Sequence, residues 1–581
     1  MNKSAKTTIL LVLAVGGFIA AGSIERAAAS REAPPVAASG MESGRANHAG
    51  EFLSSHFAQS RYDWKRAHKF LDDVLESDPK NLDLVKRSMI LSMGSGETAT
   101  AALRARKLLT KEPGNALALM IVGVDAFSRG KSDEALAAFD KMPPGDMPDF
   151  LKPLLKGWAE TALGRVPTEK FNETAIHSFH AALMALLRKD KTAVDKYTNA
   201  LVSAGSLTQT DAERTADILV AVGDKDKALS LYDSILKQEG PNKAIEAKVK
   251  AIRSGTADLQ RLIRVLTIRN AVQGAALVMF DMGSILYQEY SDSSADMFLS
   301  MSLALDPDFV DAKLLLGDLL SRNGRDDEAI SYYLAVPPDN ENYMESRRHA
   351  AELTADSGRL DDALALLNRL FSERNDVESL IRIGDLYRQA ERYAEALTAY
   401  NRAGQFFGGK VPEEYWYLLY ARGMAYEREG DWNKAEADLK TALSYRPEHP
   451  YLMNYLGYGW ADKGVNLDQS LALVQKAASL RPSDGFITDS LGWVLYMMGR
   501  YKDAVPALEK AVELLPYDPT INDHLGDAYW RVGRRLEAHF QWERAINNTR
   551  DEALKQAVGR KLAVGLVEPE DPVKEAGVKT R

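Results

Sequence analysis

Not one of the 581 residues is a cysteine. That absence removes disulfides, thiolate nucleophiles, thiolate-based zinc sites and any lipid anchor carried on a cysteine sulfur. Histidine is scarce, at 9 residues. The two that stand close, His177 and His180, share a predicted helix at i, i+3 with no third ligand placed nearby, so they read as surface or packing side chains rather than a metal pair. The motifs His-Glu-x-x-His, Gly-x-Ser-x-Gly and Gly-x-x-x-x-Gly-Lys-Ser/Thr do not occur. Acidic pairs such as Asp326-Asp327, Asp361-Asp362 and Glu413-Glu414 fall at turns, where carboxylates favour the start of the next helix. The expectation is a chain that is no enzyme and takes no cofactor or metal. Positive charge is also short: the net charge is −9, which leaves no dense basic surface for phosphates and therefore no nucleic-acid partner.

Long apolar runs are missing except near the start. Met-Asn-Lys-Ser-Ala-Lys leads into an apolar stretch from Ile9 to Ala21, and Ala27-Ala28-Ala29 precedes Ser30. A basic start, a short apolar core and small residues before a cleavage point form a secretory signal over residues 1–29. The run is shorter than the roughly 20 apolar residues of a membrane-spanning helix. Export to the periplasm with cleavage after Ala29 is expected; an uncleaved signal serving as a membrane anchor is the alternative. Residues 30–50, rich in Ala, Pro, Ser and Gly, read as a flexible lead.

What the chain has is a repeat. Gly423, Gly457, Gly492 and Gly526 recur at spacings of 34 or 35, with Ala435, Ala504 and Ala538 twelve positions after three of them and Pro447, Pro482 and Pro516 closing the units. The second unit carries one extra residue at Lys463-Gly464-Val465-Asn466, and there Ser470 stands for the alanine. Each unit holds two stretches with apolar residues at helical spacing, separated by a Gly-Asp or Gly-Arg turn. Small residues recur where two helices must approach closely, and proline follows where the second helix cannot continue. This period, with Gly, Tyr, Ala and Pro in this order, resembles the tetratricopeptide repeat. The resemblance implies an all-α solenoid, a right-handed superhelix of antiparallel helix pairs.

The repeats are regular over 413–550. They are looser but in phase over 275–412, where Gly317, Gly384 and their alanines keep the frame and Phe406-Phe407-Gly408-Gly409-Lys410 inserts a loop. Over 51–274 they are degenerate, with Ala67, Ala101 and Ala135 still spaced by 34. The stretch 242–273 is either a joint between two halves or a set of divergent repeats. A capping helix is expected at 551–566 and a disordered tail at 567–581.

Stacked hairpins of this kind bury a continuous core and turn their first helices towards a concave groove suited to an extended peptide or a partner's helix. The residue after each repeat glycine is expected to face that groove: Asp318, Asp385, Met424, Tyr458, Trp493 and Asp527. So is the residue three before it, at Tyr420, Asn454, Asp489 and Asp523, and so are Glu427, Tyr496, Trp530 and Arg531 further along. The expectation is an acidic and aromatic groove that binds protein. Asn454 lacks the companion lysines of a carboxylate clamp.

Asn454-Tyr455-Leu456-Gly457-Tyr458, Asp489-Ser490-Leu491-Gly492-Trp493-Val494-Leu495-Tyr496 and Asp523-His524-Leu525-Gly526-Asp527 resemble a branch of bacterial repeat proteins. That branch includes the outer-membrane lipoprotein partnering a periplasmic carboxyl-terminal processing protease. The resemblance implies an envelope adaptor that delivers clients to such a protease, although without a cysteine the lipid anchor of that branch is impossible here. The rival is a structural scaffold for an envelope assembly machine, for polysaccharide export or outer-membrane insertion.

Overall fold

The computed structural model describes residues 48–203, 207–255, 259–263 and 267–566. The expected signal and tail, and all but the last few residues of the lead, lie outside these. The first helix, His48–Ser60, already begins inside the segment expected to be linker. Among the described residues the chain is all helical, without a strand, and no helix is long and apolar enough to cross a membrane. It divides into two compact units, Met1–Gly358 and Arg359–Arg581.

In the second unit the antiparallel pairs are Val377–Gln389 with Tyr393–Phe406, Trp416–Arg428 with Trp432–Tyr445, Pro450–Asp462 with Leu467–Leu480, Gly485–Met497 with Tyr501–Leu514, and Pro519–Arg531 with Arg535–Asn548. The helix Glu552–Val564 then packs on the last pair. Local chemistry sets the ends. Asp376, Asp484 and Asp518 cap first helices by accepting from backbone amides two or three residues on, and Pro450 and Pro519 occupy the first helical turn, where their missing N–H costs nothing. Between the helices of a pair the chain passes through a left-handed residue, Gly499 at φ +72° and Gly533 at +87°, but Glu391 at +58° in the earliest pair of this unit. A side chain there costs about 1–2 kcal/mol, partly offset by the greater entropy glycine loses on folding. Glu391→Gly is therefore expected to stabilise the protein by about 0.5–1 kcal/mol, read as a higher urea midpoint.

The repeat glycines have one shared physical role. A Cβ added at Gly492 would lie 2.5 Å from Leu508 Cγ, at Gly457 2.6 Å from Val474 Cγ2, at Gly384 2.4 Å from Tyr400 Cε1 and at Gly526 2.4 Å from Trp542 Cδ1. Each glycine thus receives a large side chain from the second helix of its own pair, sixteen positions later, or seventeen where the extra residue intervenes. At Gly526 the incoming indole is itself fully buried and cannot retreat. Gly526→Val should cost about 1–3 kcal/mol of overpacking, whereas valine at the uncrowded Gly559, also in a helix, should cost only the ordinary propensity difference; thermal melts of the two variants compare them.

The first unit departs from simple stacking. Its first helices include Leu82–Gly94, Ala116–Ser128, Asp146–Ala162 and Ala175–Leu187. After Lys243–Ser254 and the short Leu259–Leu262, the pair Ala271–Gln288 and Asp292–Leu305 packs back onto them: the former on Asp146–Ala162 and Ala175–Leu187, the latter on Ala116–Ser128 and Leu82–Gly94. Gly274 comes so close to Trp158 that a Cβ would stand 2.3 Å from its ring. The face these first helices share is filled by the chain's own hairpin. That explains why Ala116–Ser128 is apolar nearly all round and buries ten of its 13 residues.

Candidate functional site

The inner face of the second unit is built by its first helices, with Pro450–Asp462 touching Gly485–Met497 and the latter touching Pro519–Arg531. One helix's residues three before and one after the repeat glycine meet a residue two before the glycine of the next. Tyr455 sits edge-on to Tyr420, ring centroids 5.9 Å apart, and its hydroxyl donates to Glu427 Oε2 at 3.2 Å. His524 stacks on Trp493 at 3.9 Å, and Trp493 stacks in turn on Tyr496 at 4.8 Å. Arg531 Nε donates to the Tyr496 hydroxyl at 3.4 Å. Tyr458 and Met424 are half-buried on the same helices, and burial raises the Tyr458 hydroxyl well above its ordinary pKa. The structure places Tyr420, Met424, Glu427, Asn454, Tyr458, Trp493, Tyr496 and Arg531 on consecutive first helices.

The acidic half of the expected groove is different. Asp489, Asp523 and Asp527 are only 6%, 8% and 5% exposed, and each is matched internally. Asp489 accepts from His524 Nδ1 at 3.0 Å. Asp523 and Asp527 both accept from Lys561 Nζ, at 2.7–2.8 Å, out of the helix Glu552–Val564. Burial alone would lower His524, but Asp489, with Asp523 and Asp527 beyond it, outweighs that and raises its pKa. A charged imidazolium against the Trp493 face is a cation–π contact as well as an ion pair. Burial likewise raises Asp527, reinforced by Asp523 and opposed by Lys561.

Asp318 and Asp385 also look inward to their own hairpins. Asp318 accepts from the Tyr333 hydroxyl, Asp385 from the Tyr400 hydroxyl at 2.7 Å, and Asp527 from Trp542 Nε1 at 2.9 Å. The donors are the same side chains that pack on the repeat glycines. The position after the glycine thus lies at the seam of its own pair when it is Asp, because an aromatic from the second helix reaches it. Asp318 is exposed and belongs to the first unit, whereas the other residues of the expected groove belong to the second. Trp530 lies beside Trp542, centroids 5.4 Å apart, under Arg535 and against Gly565; it anchors the end of the array. The signal for this seam was in the sequence: an Asp followed fifteen positions later by Tyr or Trp recurs at Asp217/Tyr232, Asp318/Tyr333, Asp385/Tyr400 and Asp527/Trp542.

His177 and His180 are both fully buried, which settles between surface and packing. His177 Nε2 donates to Phe150 O at 2.9 Å and its Nδ1 accepts from Asn172 N at 3.2 Å. Trp158 Nε1 donates to His180 Nδ1 at 3.2 Å, so Nε2 carries the proton that His180 gives to Asp281 Oδ2, also at 3.2 Å. Arg214 grips the same carboxylate with two nitrogens, at 2.6 and 3.1 Å. Burial would raise Asp281, but Arg214 and His180 hold it below its ordinary value. This cluster clamps the inserted hairpin in place.

With this geometry, comparison with known proteins defines the class. Family models of the tetratricopeptide repeat match residues 91–149, 294–343, 350–407, 416–449 and 487–515, so the chain carries tetratricopeptide repeats in both units. A tetratricopeptide repeat-containing protein of Pseudomonas aeruginosa is 28% identical over 191 residues, which span 32% of this chain and 31% of that protein. Among solved structures, the Cut9–Hcn1 hetero-tetramer of the APC/C aligns over 90% of this chain and 97% of its own, with 14% identity and a TM-score of 0.37. A thermophilic repeat protein of Thermus thermophilus aligns over 32% of this chain and 100% of its own, with 22% identity and a TM-score of 0.29. At these scores neither structure bears on this chain's shape or function.

Proposed function

We propose that this protein is a non-catalytic adaptor of the periplasm, exported by its N-terminal signal, that holds other proteins along the inner face of its second unit and presents clients to a carboxyl-terminal processing protease. The observation that carries the binding role is the succession of aromatic rings on consecutive first helices, Tyr420, Tyr455, Tyr458, Trp493 and Tyr496. Aromatics give contact area at low entropy cost and dominate binding hot spots. In the first unit, Leu82–Gly94, Ala116–Ser128, Asp146–Ala162 and Ala175–Leu187 are covered by the chain's own hairpin. The protease partnership rests on the resemblance of the last repeats to the bacterial adaptor branch, and the absence of cysteine makes the adaptor a soluble one or one held by its signal.

A photocrosslinking side chain placed at Tyr458 in the full chain, expressed in the native cell, tests this. The expected product is a crosslink to a processing protease or one of its clients, with the mature N-terminus at Ser30. Recovery of polysaccharide-export or outer-membrane-insertion subunits instead would replace the adaptor by an assembly scaffold.

A further inference from the structure

Gly157 stands 34 positions after Gly123, the repeat glycine that receives Phe139 from the second helix of its pair. No second helix follows Gly157: residues 163–174 run without helix in its place. Phe171 of this segment takes the part of Phe139. A Cβ added at Gly157 would lie 3.1 Å from the Phe171 ring, with Met184 Sδ of Ala175–Leu187 at 2.9 Å. A second helix keeps its shape by its own backbone bonds, whereas this segment is held by side chains. Lys156 Nζ donates to Glu169 Oε1 at 2.7 Å, and Glu160 accepts from Thr168 N and Oγ1 at 2.8 and 2.6 Å. The second half of the segment depends on His177, whose Nδ1 accepts from Asn172 N at 3.2 Å and whose ring meets Phe171 edge-on at 6.1 Å.

We propose that residues 163–174 form an acid-released strap: a proton on His177 Nδ1 frees residues 170–174 and uncovers the apolar trough at Gly157 and Met184, while Lys156 and Glu160 keep the first half in place. This device lies in the first unit and does not depend on the adaptor reading. The Nε2 proton of His177 is committed to Phe150 O at 2.9 Å, so an added proton goes to Nδ1. There it meets the Asn172 N–H, and two donors cannot share one bond. Opening gives that amide water and gives the imidazolium the hydration it lacks when fully buried. The charges around the ring offer the closed form no relief. Among the described residues no carboxylate bonds His177. His180, on the same helix, is bonded to Trp158 and Asp281, and Asp281 to Arg214 of Gln209–Ala221. Thr168 engages Glu160, while Lys156 engages Glu169 and Asp140; Asp149, next to Phe150, is exposed, as are Lys170 and Glu173 in the strap. Lys191–Ser203 contributes Tyr197, edge-on to Phe171 at 6.1 Å, with Lys196 over the Tyr197 ring. Burial lowers His177 to about 4. Closure is therefore fully favoured above the ordinary value of about 6.5 and weakens as pH falls through the window between the two.

Hydrogen exchange on the full chain, corrected for intrinsic rates and resolved to the Asn172 amide, tests this. Between pH 7 and pH 5 its protection should fall about tenfold. At both values it should lie well below that of Ala175–Leu187, with the helical circular dichroism unchanged. His177→Gln, which offers an acceptor and a donor but does not titrate, should keep the strap closed at both pH values. Phe171→Ala, which takes the ring off Gly157 and leaves His177 in place, should open the strap already at pH 7 and show little further change at pH 5. Unchanged protection at Asn172 across the range, or the same tenfold fall in His177→Gln, overturns the proposal, and so does a full pH response persisting in Phe171→Ala. Equal protection of Asn172 and Ala175–Leu187 overturns it too, since the opening would then be unfolding of the unit and not a movement of the strap.

Discussion

Asp281→Ala is expected to cost the first unit about 3 kcal/mol, the low end of what breaking a buried ion pair costs. The carboxylate is 5% exposed and accepts from both Arg214 and His180. Without it, Arg214 is left with its charge largely buried and His180 Nε2–H with no acceptor. The figure sits at the low end because a quarter of the Arg214 side chain reaches solvent. Asp281→Asn should recover part of the loss, since it still accepts from His180 or Arg214 but carries no charge. Urea unfolding monitored by circular dichroism gives the midpoint shift, with Asp339→Ala, at an exposed turn residue, as the reference. A shift no larger than that reference would mean that the clamp contributes nothing.

The second large effect is a dependence on pH. Burial lowers His177 to about 4, and its ring makes one donated and one accepted bond that only the neutral form can satisfy together. The folded state therefore refuses a proton that the unfolded chain takes near its ordinary value of about 6.5. The stabilisation is complete above that value and is lost as pH falls through the window from about 6.5 to 4, reaching about 2 kcal/mol at pH 5. His180, also lowered chiefly by burial, acts in the same direction. His524 in the second unit is raised, so its contribution is present below about 6.5 and is lost as pH rises through its folded value. Hydrogen exchange, corrected for intrinsic rates and resolved to Ala175–Leu187 and Pro519–Arg531, should show protection falling in the former between pH 7 and 5 while the latter holds or gains. His177→Gln, which keeps a donor and an acceptor without titrating, should flatten the loss in the first unit.

Much of this architecture is written in the spacing of small residues. The recurrence of Gly423, Gly457, Gly492 and Gly526 is the imprint of helix crossings, because a Cβ there would crowd Leu439, Val474, Leu508 and Trp542. The aromatic inner face was legible for the same reason: first helices keep one orientation from repeat to repeat, so Tyr420, Tyr458 and Trp493 follow from the glycine frame. The roles of the aspartates were harder to read. Helical phase gives the direction in which a side chain leaves its own helix, but not what reaches it, and Asp527 is enclosed by Trp542 and Lys561 from other helices. The inserted hairpin was less legible still. Ala116–Ser128 and Ala271–Gln288 are apolar on almost every side, which announces complete burial. Nothing local in either says that the cover comes from a segment about a hundred or more residues away.

That long-range cover bears on the order of events at the ribosome. Repeat arrays ordinarily consolidate from neighbour to neighbour as the chain emerges, since each hairpin needs only the one before it. Here the indole of Trp158 waits for Gly274, and His180 waits for Asp281. Until about a hundred further residues have been made, a large apolar surface on the early helices stands open to misassociation. Export in an unfolded state, followed by folding of the finished chain, would remove that hazard.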